Sequence, residues 1–170
     1  MRAVRGCARR RDSGVIRQLL YRSGQLHEFT GRDMTRLLQQ SRARNARCGI
    51  GGMLLWHDGL FMQLLEGPIA AVDALYARIA LDRRHCEVRL VSRVQRPRSL
   101  LAGWPMAWAE APPPDELPVP AFTELDNDRR ALAALERAGA DPVAATMRAF
   151  LRGEAVAGGG LMPVTAGSAS

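Results

Sequence analysis

A turn signal between two apolar segments limits the folds open to this chain. His57-Asp58-Gly59 separates residues 50–56 from the run Phe-Met-Gln-Leu-Leu-Glu-Gly at 61–67. Glycine adopts the positive φ that tight hairpins require, so the two segments are predicted to be adjacent antiparallel strands. Gly67 ends the second strand, and Pro68 is expected at the first position of a helix, where its missing N–H costs nothing.

The segments around this hairpin alternate between strand and helix patterns. Residues 15–23 read as a first strand that carries Leu19, Tyr21 and Ser23 on one face. Thr30 and Asp33 resemble a capping box at the start of a first helix. Residues 86–94 read as a fourth strand, and residues 104–108 as a short fifth strand at an edge. The two helices are predicted from apolar stripes, which are Met34, Leu38, Ser41 and Asn45 in the first and Val72, Leu75, Tyr76 and Ile79 in the second.

The order of these elements predicts an α+β fold, a ferredoxin-like βαββαββ sandwich with two helices on an antiparallel or mixed sheet and further C-terminal helices. Its first and third strands pair at the centre, which places Tyr21 beside Gln63 in the groove between the helices. A buried amide needs hydrogen-bond partners and offers both donors and an acceptor. Three plainer readings stay open: a core glutamine bonded to backbone at Gln63, a solvated helix end at Asn45, and a surface salt-bridge cluster at 82–85.

We divide the chain into five segments. Residues 1–14 are expected to be a disordered basic tail, 15–110 the sandwich domain, 111–120 a Pro-rich spacer, 121–153 a helical extension and 154–170 a disordered tail. In the extension, Asp141 and Pro142 predict the start of a helix. Its apolar stripe should pack on the sheet or on a second subunit; the stripe consists of Val143, Met147, Phe150 and Leu151.

Composition excludes several classes of protein. The hydrophobic fraction of 47% suffices for a core, while no apolar run is long enough to cross a membrane and the N-terminus does not resemble a secretory signal. Three cysteines without CxxC spacing indicate reduced thiols in the cytoplasm and no metal site. The net charge of +7 is concentrated in the arginine-rich tail, and no RNA-binding aromatic motif follows, so a nucleic-acid partner is not expected.

Six pieces of the sequence, in this order and spacing, resemble a BLUF domain, a flavin-binding sensor of blue light. They are Leu-Leu-Tyr-Arg-Ser at 19–23, Ser-Arg-Ala-Arg-Asn at 41–45, Gly-Met-Leu-Leu at 52–55, Gly-Leu-Phe-Met-Gln-Leu-Leu-Glu-Gly at 59–67, Asp-Arg-Arg-His at 82–85 and Trp-Pro-Met at 104–106. The resemblance runs from about residue 16 to residue 108. Two departures are Gly51, usually Thr, and Trp56, usually Tyr; Gly51 is expected to loosen the second strand.

The resemblance implies FAD held non-covalently between the helices, with FMN and riboflavin left open. By position, Tyr21 would be the photochemical electron and proton donor, and Gln63 the switching amide between phenol and flavin. Asn45 would bind a flavin carbonyl and the ring N–H. The other residues implied to contact the cofactor are Ser41, Asp82, Arg84, His85, Trp104 and Met106.

The implied activity is signalling, not turnover. No catalytic output domain is recognisable after Pro114, so we expect a homo-oligomeric photosensory protein that is not an enzyme and acts on an unidentified downstream protein. Two alternatives on the same topology are a light-inactive binding module and an acylphosphatase-like enzyme. The enzyme would need an anion cradle and a nucleophile, and the sequence offers neither.

Overall fold

The computed structural model describes residues 14–26, 30–111 and 125–154. This part of the chain forms five strands and four helices. They are β1 (Ile16–Gln25), α1 (Gly31–Cys48), β2 (Gly51–His57), β3 (Leu60–Gly67), α2 (Ile69–Ala80), β4 (His85–Arg96), β5 (Ala107–Glu110), α3 (Arg129–Arg137) and α4 (Pro142–Leu151). The predicted basic tail, most of the spacer and the C-terminal tail lie outside the described residues.

The strands form one mixed sheet in the order β4-β1-β3-β2-β5. The first and third strands pair at its centre, as the predicted topology requires, and Tyr21 lies directly opposite Gln63. Only the β2–β5 pairing is parallel among the described strands. The predicted α+β sandwich is therefore confirmed.

Each face of the sheet is covered by a pair of helices. One face, which we call the α1–α2 face, buries Leu19, Tyr21, Leu54, Phe61, Leu65 and Trp108 against the first two helices. The other, the α3–α4 face, buries Leu20, Met53, Leu55, Met62 and Leu64 against Ala131, Leu135, Val143, Met147 and Phe150. The apolar stripe of α4 thus packs on its own sheet, which is one of the two arrangements predicted for it.

The turns and caps follow the local sequence. Thr30 and Asp33 form the expected capping box, in which the Asp33 N–H donates to Thr30 Oγ1 at 3.2 Å and the Thr30 N–H donates to Asp33 Oδ2 at 3.1 Å. Asp58 and Gly59 have φ of 44° and 75°, the positive values expected of the hairpin turn. Asp141 caps α4, and Pro142 is its first residue.

Three predicted boundaries are wrong. Pro68 is the N-cap of α2, with extended ψ of 130°, and Ile69 is the first helical residue. The fifth strand begins at Ala107, because Pro105 has no N–H to donate to a ladder and the Pro105 carbonyl is bonded to α1 instead. His85 lies in β4, opposite Gln25, where a loop was expected.

The two edges of the sheet differ. The outer edge of β5 is covered by the chain before α3: the Asp128 N–H donates to the Trp108 carbonyl at 2.8 Å, and Asn127 bonds both backbone groups of Glu110. β4 pairs only with β1 within the described chain. None of the described helices is both long and apolar enough to span a bilayer.

Candidate functional site

The centre of the α1–α2 face holds a buried phenol and a buried amide. Tyr21 and Gln63 are 2% and 7% exposed. Tyr21 Oη donates a hydrogen bond to Gln63 Oε1, and Gln63 Nε2 donates to Met106 Sδ at 3.2 Å. Both ends of the amide therefore contact side chains, which contradicts the plainer reading of a glutamine satisfied by backbone.

The two hydrogen-bond partners determine the orientation of the Gln63 amide. A phenol that donates its proton requires the amide oxygen, and a thioether, which only accepts, requires the amide nitrogen. Rotation of the Gln63 amide by half a turn would set its oxygen against Met106 Sδ, and two acceptors would then face each other. The arrangement thus has one favoured orientation and a second, less favoured one of nearly the same shape.

The last turns of α1 bring further polar atoms to this group. Asn45 is 1% exposed and donates from Nδ2 to the Pro105 carbonyl at 2.8 Å, so it is not a solvated helix end. Its Oδ1 accepts no hydrogen bond from the described residues. Ser41, one turn earlier, is half-buried. Sequence reasoning missed Arg42, whose Nε donates to the Met106 carbonyl at 2.9 Å.

The surroundings of Tyr21 keep its phenol neutral. Burial raises its pKa far above the ordinary value of 10.0, and the negative charge that Tyr76 and Asp82 carry when ionised raises it further. The two tyrosine rings lie 5.5 Å apart between centroids and are tilted by 55°. Tyr21 is therefore a hydrogen-bond donor at every physiological pH.

Asp82 and Arg84 form an ion pair between the end of α2 and the start of β4. Arg84 donates from its backbone N–H and from Nε to Asp82 Oδ1, each at 3.0 Å. The hydrogen bonds to Asp82 raise the pKa of Arg84. The side chains of Arg84 and Asp82 are 55% and 27% exposed, so these two residues form a surface salt bridge, and Asp82 also raises the pKa of Tyr21.

Two residues expected to act together lie on different faces. Met106 is 3% exposed and belongs to the α1–α2 core, whereas Trp104 is half-buried and packs against the α3–α4 core. The structure therefore does not bring Trp104 to the Tyr21–Gln63 group. Trp108, which is 1% exposed, is the tryptophan on the α1–α2 face, and counting two residues on from Met106 would have found it.

Glycine is required where β2 passes beneath this group. A β-carbon on Gly52 would lie 2.4 Å from the Leu64 carbonyl oxygen and 3.5 Å from Met106 Cε. At Gly51 it would lie 3.1 Å from the Leu101 carbonyl oxygen and 3.3 Å from that of Trp104. Gly51 thus leaves room for the chain that leads into β5, and it pairs with Glu66 in the sheet; that it loosens β2 stays a prediction.

The fold and site together define a ferredoxin-like domain that buries an amide between a phenol and a thioether on its α1–α2 face. The family model for BLUF, described as sensors of blue light using FAD, matches residues 16–107, which is more than half of the chain. The chain belongs to the BLUF family. This match gives no support to the acylphosphatase-like alternative.

Relatives and solved structures agree with that assignment. A photoactivated adenylate cyclase subunit alpha-like protein of Euglena gracilis is 41% identical over 75 residues, which are 44% of this chain and 7% of that protein. BlrB, described as a BLUF protein in its dark state, is 27% identical with a TM-score of 0.57, covering 81% of this chain and 96% of BlrB. Klebsiella pneumoniae BlrP1 with FMN and cyclic diGMP shares the fold, with a TM-score of 0.64 at 23% identity, over 81% of this chain and 34% of BlrP1.

The donor set fits a flavin. The ring edge of a flavin presents carbonyl acceptors and an N–H donor, and a side-chain amide complements both. Asn45 offers such an amide, nearly fully buried, with an oxygen that accepts no hydrogen bond from the described residues. Gln63 presents a second amide on the same face, beside the phenol. Within the described chain no group of three metal-ligating side chains is found.

Proposed function

We propose that this protein is a blue-light photoreceptor that binds FAD non-covalently between α1 and α2. The observation that carries the proposal is the buried series Tyr21–Gln63–Met106, in which one amide joins a donor to an acceptor. FAD is preferred over FMN because the family is described by its use of FAD, whereas the FMN of BlrP1 belongs to that protein.

The cofactor would be held from α1 and from the groove mouth. Asn45 would bind the ring carbonyl and N–H, with Ser41 beside it on the same helix. Asp82 and Arg84 would lie along the more exposed part of the cofactor, with His85 at the start of β4. Met106 and Gln63 would border the ring from the sheet, and the burial of Trp104 on the other face argues against the contact implied for it.

A bound flavin supplies absorption of blue light and a strongly oxidising excited state. Tyr21 is then the donor of one electron and one proton, since loss of an electron makes a phenol strongly acidic. Gln63 receives the phenol's hydrogen bond and, once that bond is broken, rotates or tautomerises with little change in shape. Return of the electron and the proton to Tyr21 would leave the flavin chemically unchanged but its hydrogen bonds rearranged, and this rearrangement would be the signal.

The output is proposed to be protein–protein signalling, without catalysis by this chain. The cyclase relatives carry their activity in proteins of which the aligned stretch is only 7%, so their reaction is not transferred to this chain. We propose that 15–110 is the sensor, that 121–153 is a docked extension, and that a partner protein or a second copy reads the change. Half-buried free Cys48 and Cys86 support a reducing, cytoplasmic setting.

Absorption spectroscopy of the purified protein before and after blue light tests this function. The flavin band should shift slightly to the red and recover in darkness, and denaturation should release free flavin. Gln63→Leu keeps the volume but removes donor and acceptor, so it should retain flavin and lose the shift entirely. Gln39→Leu, the same change at an exposed position of α1, is the control and should keep the shift.

Two results would contradict the proposal. One is a protein that is colourless as purified and stays colourless after incubation with FAD. The other is a normal light response in the Gln63→Leu variant, which would show that the amide is not the switch.

A further inference from the structure

A buried carboxylate on β3 holds the connection between β4 and β5, residues 97–106. Glu66 is 1% exposed, and each of its oxygens accepts two hydrogen bonds. Oε1 accepts from Gln18 Nε2 at 2.8 Å and from the Leu100 N–H at 3.0 Å. Oε2 accepts from Ser99 Oγ at 2.6 Å and from the Leu101 N–H at 2.9 Å. A buried carboxylate is tolerated only when it is satisfied in this way.

The same connection carries Met106, the acceptor for the switching amide. Beyond Glu66 it is held at three more points: the Gly52 N–H donates to the Trp104 carbonyl at 2.9 Å, Asn45 binds the Pro105 carbonyl, and Arg42 Nε donates to the Met106 carbonyl at 2.9 Å. The position of Met106 Sδ is therefore set by the whole connection, which is anchored at its start by Glu66. Glu66 and Gln63 lie on the same strand but on opposite faces of the sheet.

The network continues from Glu66 to the start of α4. Gln18, whose amide nitrogen binds Glu66, accepts from Arg96 Nε at 3.1 Å through its oxygen. Arg96 in turn pairs with Asp141 Oδ2 at 2.8 Å, while Asp141 Oδ1 caps α4 by accepting from the Val143 N–H at 3.0 Å. The Asp141 carboxylate thus caps α4 and also forms the ion pair with Arg96.

From this arrangement we propose that Glu66 is a positioning residue of the photoswitch. The hydrogen-bonded series Gln18, Arg96 and Asp141 then transmits the orientation of the Gln63 amide from Glu66 to α4. The proposal rests on the proposed photoreceptor function. By fixing the connection, Glu66 holds Met106 Sδ against Gln63, which favours the orientation with the amide nitrogen toward sulfur. In the reversed orientation the fixed sulfur faces the amide oxygen, and this repulsion drives recovery in darkness.

Loosening the anchor should therefore slow recovery. Glu66→Gln keeps the shape of the side chain but sets an NH₂ group against the two donors that one carboxylate oxygen had bonded, and we expect recovery to slow by about fivefold or more. We expect the size of the red shift and the flavin content to stay unchanged. Glu87→Gln, the same substitution at an exposed glutamate of β4, should recover at the wild-type rate.

A double-mutant cycle separates positioning from general damage to the fold. Met106→Leu removes the acceptor and should itself slow recovery. If Glu66 acts through Met106, then Glu66→Gln should add nothing in the Met106→Leu background. Additive slowing of the two variants would overturn the positioning role.

Hydrogen exchange supplies a readout that does not depend on light. In dark protein, with flavin bound and after its removal, Glu66→Gln should lose protection at the Leu100 and Leu101 amides while Glu87→Gln keeps it. Unchanged protection of these two amides in Glu66→Gln would show that Glu66 does not anchor the connection.

The link to α4 is tested by light-minus-dark exchange at the amides of Val143 and Ala144, both capped by Asp141. Arg96→Leu should keep the red shift and lose the exchange difference seen in the wild type. A difference that persists in Arg96→Leu, or that is absent in a wild type with a normal red shift, would overturn the link. A wild type with no red shift would instead contradict the photoreceptor function.

Discussion

The two faces of the sheet are each covered by two helices, yet they bury different chemistry. The α3–α4 face packs apolar side chains such as Met62, Leu64 and Phe150 against its helices, and its buried polar residues, Gln18 and Glu66, bond to Arg96 and to the β4–β5 connection beside that cluster. The α1–α2 face buries a phenol and two amides among its apolar residues, namely Tyr21, Gln63 and Asn45. The stability of the apolar cluster depends on how well its side chains fill the volume between sheet and helices. The hydrogen bonds of the α1–α2 face depend on where individual hydrogen atoms lie.

Because of this difference, we expect substitutions in the apolar cluster to change stability and substitutions at the Gln63 amide to change signalling. Apolar contacts lack direction, so the apolar cluster of the α3–α4 face holds the sheet and the extension together without favouring either orientation of the Gln63 amide. Hydrogen bonds do have direction, and reversal of one amide on the α1–α2 face changes which atoms attract. The variants below are chosen so that each affects one face.

The largest effect on stability is expected on the apolar face. Phe150 is 6% exposed in the α3–α4 core, and Phe150→Ala should lower the free energy of unfolding by about 3–5 kcal/mol, because it removes buried surface and leaves a cavity. Urea unfolding followed by circular dichroism measures this loss. Flavin content under native conditions should be unchanged, because no atom of the candidate site is removed.

The control for this truncation is Leu81, which is 83% exposed. Leu81→Ala should change the free energy of unfolding by less than about 0.5 kcal/mol. If Phe150→Ala is equally harmless, the extension is not docked on the sheet in solution and the comparison of two cores fails.

A pair of neighbouring glycines compares the faces directly. Gly52→Ala would place its β-carbon 2.4 Å from the Leu64 carbonyl oxygen, so β2 must shift, at a cost of about 1–3 kcal/mol. Gly51→Ala meets its nearest atoms at 3.1 Å and should cost less. Thermal unfolding ranks the two, and equal costs would show that the close approach at Gly52 is relieved without strain. Only Gly52→Ala should also disturb the flavin spectrum, since its new methyl group lies beside Met106.

The smallest effect concerns alkaline pH. The folded-state pKa of Tyr21 is raised above its ordinary value of 10.0, so its contribution is intact below that pH and is lost as the pH rises further. The unfolded chain then releases a phenol proton that the folded chain retains, which lowers stability by at most about 1.4 kcal/mol per pH unit. The chain contains no lysine and only two tyrosines, so few other groups titrate there.

Urea unfolding of the wild type and Tyr21→Phe, between about pH 9 and about pH 11, measures this contribution. The wild type should lose stability faster than the variant as the pH rises. Parallel curves would mean that the Tyr21 hydroxyl ionises as readily in the folded protein as in the unfolded chain.

Local signals in the sequence were enough for most of the fold. The hairpin at Asp58-Gly59, the capping box at Thr30 and the cap at Asp141 depend on neighbouring residues and were predicted at the correct positions. That Tyr21 and Gln63 are neighbours also followed, because the topology pairs the first strand with the third at the centre of the sheet.

What the sequence did not give depends on contacts between distant segments. Trp104 was expected beside Met106, but the connection crosses between the faces of the sheet, and no local pattern shows where it does so. Arg42 and Glu66 read as an ordinary surface arginine and a strand-end glutamate. Their roles appear only when the residues they bind, far along the chain, are in place.

The difference between the sheet's edges also bears on how the protein behaves at high concentration. The backbone groups at the outer edge of β5 are already hydrogen-bonded to Asn127 and Asp128. Among the described strands, only β4 therefore presents an open edge at which another chain could add a strand. That edge carries exposed Arg89 and Arg93. Arg89 pairs with Glu87 and Arg93 with Asp73, and these hydrated charges at the edge oppose the strand-by-strand growth that leads to fibrils.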